Sequence, residues 1–117
     1  MKTSDLTGPA LDWAVELTNG THWSTNGFFC YAPHERSYPY SKEPLHSYST
    51  DWSQGGPIIE REGIALYNDA FLGKWIATDV IECVEYETEG PTPLIAAMRC
   101  YVASKLGDEV DVPKELT

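Results

Sequence analysis

The sequence predicts an α+β fold: a small alpha-beta-alpha sandwich with a mainly antiparallel sheet of three or four strands, an N-terminal and a C-terminal helix, and a short middle helix. Three observations carry this. Segments near the two ends, 7–20 and 92–107, place apolar residues at helical spacing between a Thr and Pro start and a glycine stop. Between them lie short runs rich in β-branched and aromatic residues, the composition of strands. These runs do not alternate regularly with helices, which argues against parallel crossovers. At 117 residues the chain is one domain, 1–117, with room for a real core.

The first helix is read from "TGPALDWAVELTNG". Thr7 caps, Pro9 suits the first turn, Ala10, Trp13, Ala14 and Leu17 share a face, and Gly20 supplies a left-handed stop, so Asp12 and Glu16 are expected to face water. Phe28 to Tyr31 then favour a buried strand that Pro33 ends. Residues 33–54 hold prolines, tyrosines, serines and two histidines with no sustained period, and read as a long aromatic-rich loop. In "QGGPIIEREG", Gly55 or Gly56 is expected to cap a short helix, with Pro57 in its first turn and Gly63 as its stop.

Strands follow in "IALYND" and "KWIATDVIECVEYE", joined through "NDAFLG". The second run reads as one bent strand or as two with a break near Thr78 and Asp79. The last helix is the clearest. Thr92 caps, Pro93 opens it, Leu94, Ile95, Met98, Tyr101, Val102 and Leu106 form the apolar stripe, and Gly107 ends it. In the polar tail, 108–117, only Val110 and Val112 can tie the chain to the body.

Eighteen acidic side chains against eight basic ones give a net charge of −10. The basic residues are scattered, so the field repels a phosphate backbone and argues against direct nucleic-acid binding. Cys30, Cys83 and Cys100 cannot all pair and show no CxxC spacing, which fits a reduced compartment with Cys83 and Cys100 as core thiols. No secretory leader or membrane-length apolar run is present, so no membrane role is expected.

No catalytic residue, metal site or cofactor is assigned. His22, His34 and His46 with Cys30 lack the spacing of zinc ligands, and no nucleophile motif or phosphate loop occurs. Glu60, Glu62, Asp79, Glu82 and Glu85 are an acid–base supply that any acidic protein offers.

The candidate ligand corner is "DWSQGGPIIERE". A helix start presents free N–H groups, and glycines beside it let an anion approach. Trp52, Ser53, Gly55 and Gly56 would line it, with Arg61 and Arg99 reaching a phosphate and Trp52 stacking on a base. The same residues also serve simply as a turn that starts a helix, with Trp52 in the core and Arg61 paired to Glu60 or Glu62. A small anionic or nucleotide-type ligand is one expected partner. A site shared by two copies would help so small a chain enclose it. The other expected partner is a host protein, met by an acidic, tyrosine-rich surface from Tyr31 to Tyr48 that includes Tyr38, Tyr40, Tyr48, Glu35 and Glu43.

The segments "MKTSDLTGPALDWAVE", "YSTDWSQGGPIIEREGI" and "GPTPLIAAMRCYVASKLGDEVDVP", in this order and spacing, resemble the NinX family of tailed-phage proteins, which is related to the phage alpha-beta-alpha sandwich domain. The resemblance covers nearly the whole chain. It implies a small protein in the cytoplasm of the infected bacterial host, encoded among phage accessory genes, and it brings no catalytic residue. Phage proteins of this size commonly block a host enzyme or sequester a nucleotide signal of host immunity. The expected role is therefore binding that counters host defence.

Overall fold

The computed structural model describes residues 1–18 and 47–112. A 3-10 turn at Thr3–Asp5 leads into α1 (Gly8–Thr18), then α2 (Trp52–Glu62), β1 (Ala65–Asp69), β2 (Lys74–Ile81), β3 (Val84–Gly90) and α3 (Pro93–Leu106). The strands form an antiparallel meander in the order β1-β2-β3. The expected α+β class, antiparallel sheet and three helices are present. The expected strand at Phe28–Tyr31, the stop at Gly20, and His22, His34, His46, Cys30, Tyr38 and Tyr40 lie outside the described residues.

α3 is the hub. Its small residues Ala96, Cys100 and Ala103 lie against the sheet, where Thr88 Oγ1 donates to the Ala96 carbonyl (2.8 Å) and the Cys100 thiol points at the Tyr86 carbonyl (3.6 Å). A side chain at Gly90 would strike the Ala96 backbone, so the strand and helix approach closely only because position 90 is glycine. α1 and α2 pack mainly on α3, so that helix is buried nearly all round; Leu6, Leu11, Val15, Ile58, Met98, Tyr101 and Val102 are among the large members of the core. Its ends are those the sequence predicts: Thr92 Oγ1 accepts from the Ile95 N–H (3.2 Å), and Gly107 closes the helix at φ 93°.

α2 begins five residues earlier than Pro57. Asp51 is the cap: its carboxylate accepts from the Ser53 N–H (3.0 Å), the Ser53 hydroxyl (2.7 Å) and Gln54 Nε2 (2.8 Å). Gly55, Gly56 and Pro57 therefore sit inside the helix. Pro57 lacks the N–H that would bond back to the exposed Ser53, and Gly56 removes the Cβ that normally clashes with a following proline ring. Gly55 has a different task. A Cβ there would fall against the Tyr48 carbonyl oxygen and 2.7 Å from Leu94 Cδ2, so the glycine is a packing requirement.

Asp12 and Glu16 are buried rather than wet. The residues before α2 lie over α1, and the Ser49 N–H donates to Asp12 Oδ1 (2.8 Å). The Ser49 hydroxyl, also buried, faces the same carboxyl without a well-formed hydrogen bond. Burial holds the Asp12 pKa above its ordinary 3.8, against the lowering effect of the Ser49 hydroxyl and N–H, with Glu16 adding to the rise. The folded chain thus holds this proton more tightly than the unfolded one. Stability from this source is complete below about pH 3.8 and is lost as pH rises through the higher folded value. Asp12→Asn keeps an acceptor for Ser49 and removes the charge. Its stability relative to wild type should increase from about pH 4 to pH 7 in urea unfolding, and a flat or falling difference would contradict the assignment.

Two further expectations are corrected. The break in the long strand run falls at Glu82 and Cys83, not near Asp79, and both turn residues adopt left-handed backbone (φ 52° and 68°). This is a two-residue hairpin made without the usual glycine or asparagine, which is why the run carries no turn signal. Cys83 is accordingly exposed; of the two described cysteines only Cys100 is a core thiol, and burial followed by the nearby Asp79 charge pushes its pKa up to about 12.

Candidate functional site

The sequence-predicted ligand residues are not gathered in one place. Trp52 and Ser53 stand at the start of α2, with Trp52 53% exposed. Arg61 is at the far end of the same helix, roughly 13 Å away by helical rise. There its Nε donates to Glu62 (2.9 Å) and its terminal nitrogen to the Tyr101 hydroxyl (3.2 Å), while the guanidinium lies 5.7 Å from the Tyr101 ring centre. Lys105 approaches the same ring at 5.8 Å and reaches Glu62 at 3.3 Å. Partial burial pushes the Glu62 pKa up, but the hydrogen bonds and charges of Arg61 and Lys105 outweigh it and leave the carboxyl below its ordinary value. The Tyr101 hydroxyl in turn donates to the Thr18 carbonyl (3.1 Å), so this cluster ties the ends of α1 and α2 to α3.

Arg99 is committed to the backbone. Its Nε donates to the Leu6 carbonyl (2.8 Å) and Nη1 to the Glu89 carbonyl (2.7 Å), joining the approach to α1 with the end of β3. Burial lowers its pKa, partly offset by Asp5 and Glu89. Gly55 is buried under Tyr48 and Leu94, and its N–H donates to the Asp51 carbonyl (2.9 Å). Tyr48 is itself a core residue, so it presents no partner surface.

Two clefts remain. A small one of about 250 Å³ lies where α2 and α3 begin, lined by Ser49, Thr50, Trp52, Thr92, Pro93, Leu94 and Ile95. Two helix starts favour an anion there, but the Asp51 carboxylate occupies one of them. Its pKa is held down first by the Ser53 hydroxyl, then by Gln54 and the Ser53 N–H. Neither Arg61 nor Arg99 lines this cleft.

The larger cleft, about 560 Å³, runs beside β3. Lys2 to Ser4 and Asp108 to Glu109 form its opposite wall, and Ala103 lies between. That wall is held by a short bridge of Lys2 with Glu109, by the Thr3 N–H to the Asp108 carbonyl (2.8 Å) and by the Thr3 hydroxyl to the Gly107 carbonyl (2.6 Å). Thr88 and Gly90 face α3, so by the two-residue period of a strand Glu85, Glu87 and Glu89 project from the opposite face of the sheet. On that face Tyr67 donates to Glu87 (3.4 Å), Lys74 pairs with Glu89 (2.7 Å), and Val80 is exposed; Phe71 and Leu72 stand out at the β1–β2 turn. Sequence reading singled out neither this face nor the cleft. The signal available was the alternation Glu85-x-Glu87-x-Glu89.

Among the described residues no group of three or more His, Cys, Asp or Glu side chains is placed to hold a metal ion. Cys100, neutral and buried, is no nucleophile at neutral pH. The exposed side chains include carboxylates and apolar groups on one sheet face, beside an open cleft. No helix among the described residues is long and apolar enough to cross a membrane.

No curated protein matches the chain. The family model described as "Bacteriophage P22, NinX" matches residues 2–105, which takes in every helix and strand described above apart from the last residue of α3. With so much of its length matched, the chain belongs to the bacteriophage P22 NinX family.

Proposed function

We propose that this chain is a phage accessory protein that counters host defence by binding, without catalysis, a basic surface of a host protein. The observation that carries the reading is the row of exposed Glu85, Glu87 and Glu89 on the sheet face turned away from α3, next to the exposed Tyr67 and Val80. Carboxylates beside apolar and tyrosine side chains suit an interface whose partner is basic, because charge steers the encounter while the apolar groups supply contact area. The net charge of −10 extends the same attraction over the whole molecule.

The test is retention of host proteins by the immobilised full chain and by the triple variant Glu85→Lys, Glu87→Lys, Glu89→Lys, each at low and at high salt. A set of proteins held by wild type at low salt, and lost both at high salt and with the variant, is expected. The same set held by both proteins would refute the reading.

A second reading, a small anionic or nucleotide-type ligand, is favoured by the half-exposed Trp52 ring in the cleft where α2 and α3 begin. A ligand that binds only the folded chain at about a hundred times its dissociation constant adds about 2.7 kcal/mol and raises the unfolding midpoint by several degrees. A rise with a panel of nucleotides, abolished by Trp52→Ala, would move the assignment to that cleft.

A further inference from the structure

Among the described residues β3 is an edge strand, and its hydrogen-bonding register follows from the hairpin that leads into it. A two-residue turn at Glu82 and Cys83 makes Ile81 and Val84 the bonded pair that closes it, and bonded pairs alternate from there. Tyr86, Thr88 and Gly90 therefore turn their backbone groups toward β2. Glu85, Glu87 and Glu89 turn theirs outward. The Arg99 contact checks this register independently, since its guanidinium reaches the Glu89 carbonyl from outside the sheet. The N–H and C=O groups of Glu85 and Glu87 have no partner among the described residues, and both residues line the 560 Å³ cleft.

An edge left unpaired by the described residues is a template for another strand. Here three further features describe what it takes. The cleft gives the added strand a place to lie, with the Lys2–Ser4 and Asp108–Glu109 wall on its far side. Among the described residues that line the cleft, the charged ones are Glu85, Glu87, Asp108 and Glu109 against Lys2, so four acids meet one base, a net of −3. The two faces of an added strand also meet different surroundings. Residues beside the Glu85 and Glu87 side chains meet carboxylates, whereas those on the other face meet Tyr86 and Ala103.

We propose that the outer edge of β3 binds an extended segment of a partner protein in which Lys or Arg alternates with apolar residues, adding it to the sheet as a fourth strand beside Glu85 and Glu87. This rests on the reading of the chain as a protein-binding protein and specifies the segment recognised. The cationic side chains pair with Glu85 and Glu87 across the strands. The apolar ones enter the cleft over Tyr86 and Ala103, and the main chain bonds to the outward groups of β3.

The test uses the full chain, isotope-labelled, and a blocked heptapeptide of alternating lysine and valine, with three comparison ligands: a block-ordered peptide of the same composition, the alternating peptide N-methylated at every second amide, and spermidine. Saturable shifts of the Glu85 and Glu87 amides with the alternating peptide are expected. At least tenfold weaker binding is expected for the block-ordered and the N-methylated peptides, and for the double variant Glu85→Gln, Glu87→Gln with the alternating peptide. Glu87→Pro should also weaken binding, because it removes an outward N–H without breaking the β2–β3 ladder, a position where an edge strand tolerates proline. Equal binding of all four ligands would reduce the surface to counterion attraction and overturn the proposal, as would the absence of shifts at Glu85 and Glu87. If the peptide fails while host-protein retention still depends on Glu85, Glu87 and Glu89, the strand addition falls and the protein-binding reading stands; if both fail, both fall.

Discussion

Replacing Gly55 by alanine is expected to destabilise the protein by about 1–3 kcal/mol, although helix propensity alone favours alanine over glycine by about 1 kcal/mol. The sign reverses because of what lies over the helix. The new methyl group would meet the Tyr48 carbonyl oxygen, which is backbone, as well as Leu94 Cδ2 at 2.7 Å, so relief requires α2 to lift from the turn that precedes it. Both neighbours belong to buried residues, and lifting the helix opens the core around Ile58. Gly56 is the internal comparison, because a Cβ there meets nothing nearer than the Trp52 ring at 3.8 Å. In urea unfolding the Gly55→Ala midpoint should fall with the slope unchanged. A midpoint at or above that of wild type would mean that the glycine is there for another reason, including access of a ligand to the backbone.

The second large effect belongs to Met98→Ala, expected to cost about 2–5 kcal/mol. Met98 is fully buried midway along α3, the helix against which both the sheet and the other two helices pack. A cavity at this position is bounded by elements already fixed by one another, so little collapse is available to fill it. Val80→Ala, on the open sheet face, should change stability by no more than about 0.5 kcal/mol. Similar losses for the two variants would contradict the placement of the core on the α3 side of the sheet.

Local chemistry was legible wherever the signal and the structure depend on the same few residues. Thr92, Pro93 and Gly107 bound α3, and Gly63 ends α2 in the left-handed conformation expected of it. The start of α2 was misplaced although its signal was present. Asp51 with Gln54 three residues on is a capping pattern, but Gly-Gly-Pro is a strong punctuation mark and drew the helix start to itself. Only the packing of Tyr48 and Leu94 explains why a glycine is needed within the helix. Asp12 and Glu16 fall on what looks like the polar face of α1. The Ser47–Thr50 turn that lies on Asp12 is distant in sequence, and no period within α1 reports it.

The candidate site followed the same division. Arg61 and Arg99 suggested phosphate chemistry as residue types, yet each is held by tertiary partners that a linear reading does not bring together: Tyr101 for one, the Leu6 and Glu89 carbonyls for the other. The acidic alternation Glu85, Glu87, Glu89 is plain in the sequence. What gives it meaning is that β3 lies at the edge of the described sheet and opens on a cleft, and neither is a property of the segment alone.

Amide hydrogen exchange of the full chain, alone and with the host proteins it retains, separates the β3 edge from the cleft where α2 and α3 begin. The Glu85 and Glu87 amides, open to water in the free chain, are expected to become protected in the complex while Trp52 and Leu94 exchange as before. Protection at Trp52 and Leu94 with β3 unchanged would contradict it and place the working surface where α2 and α3 begin.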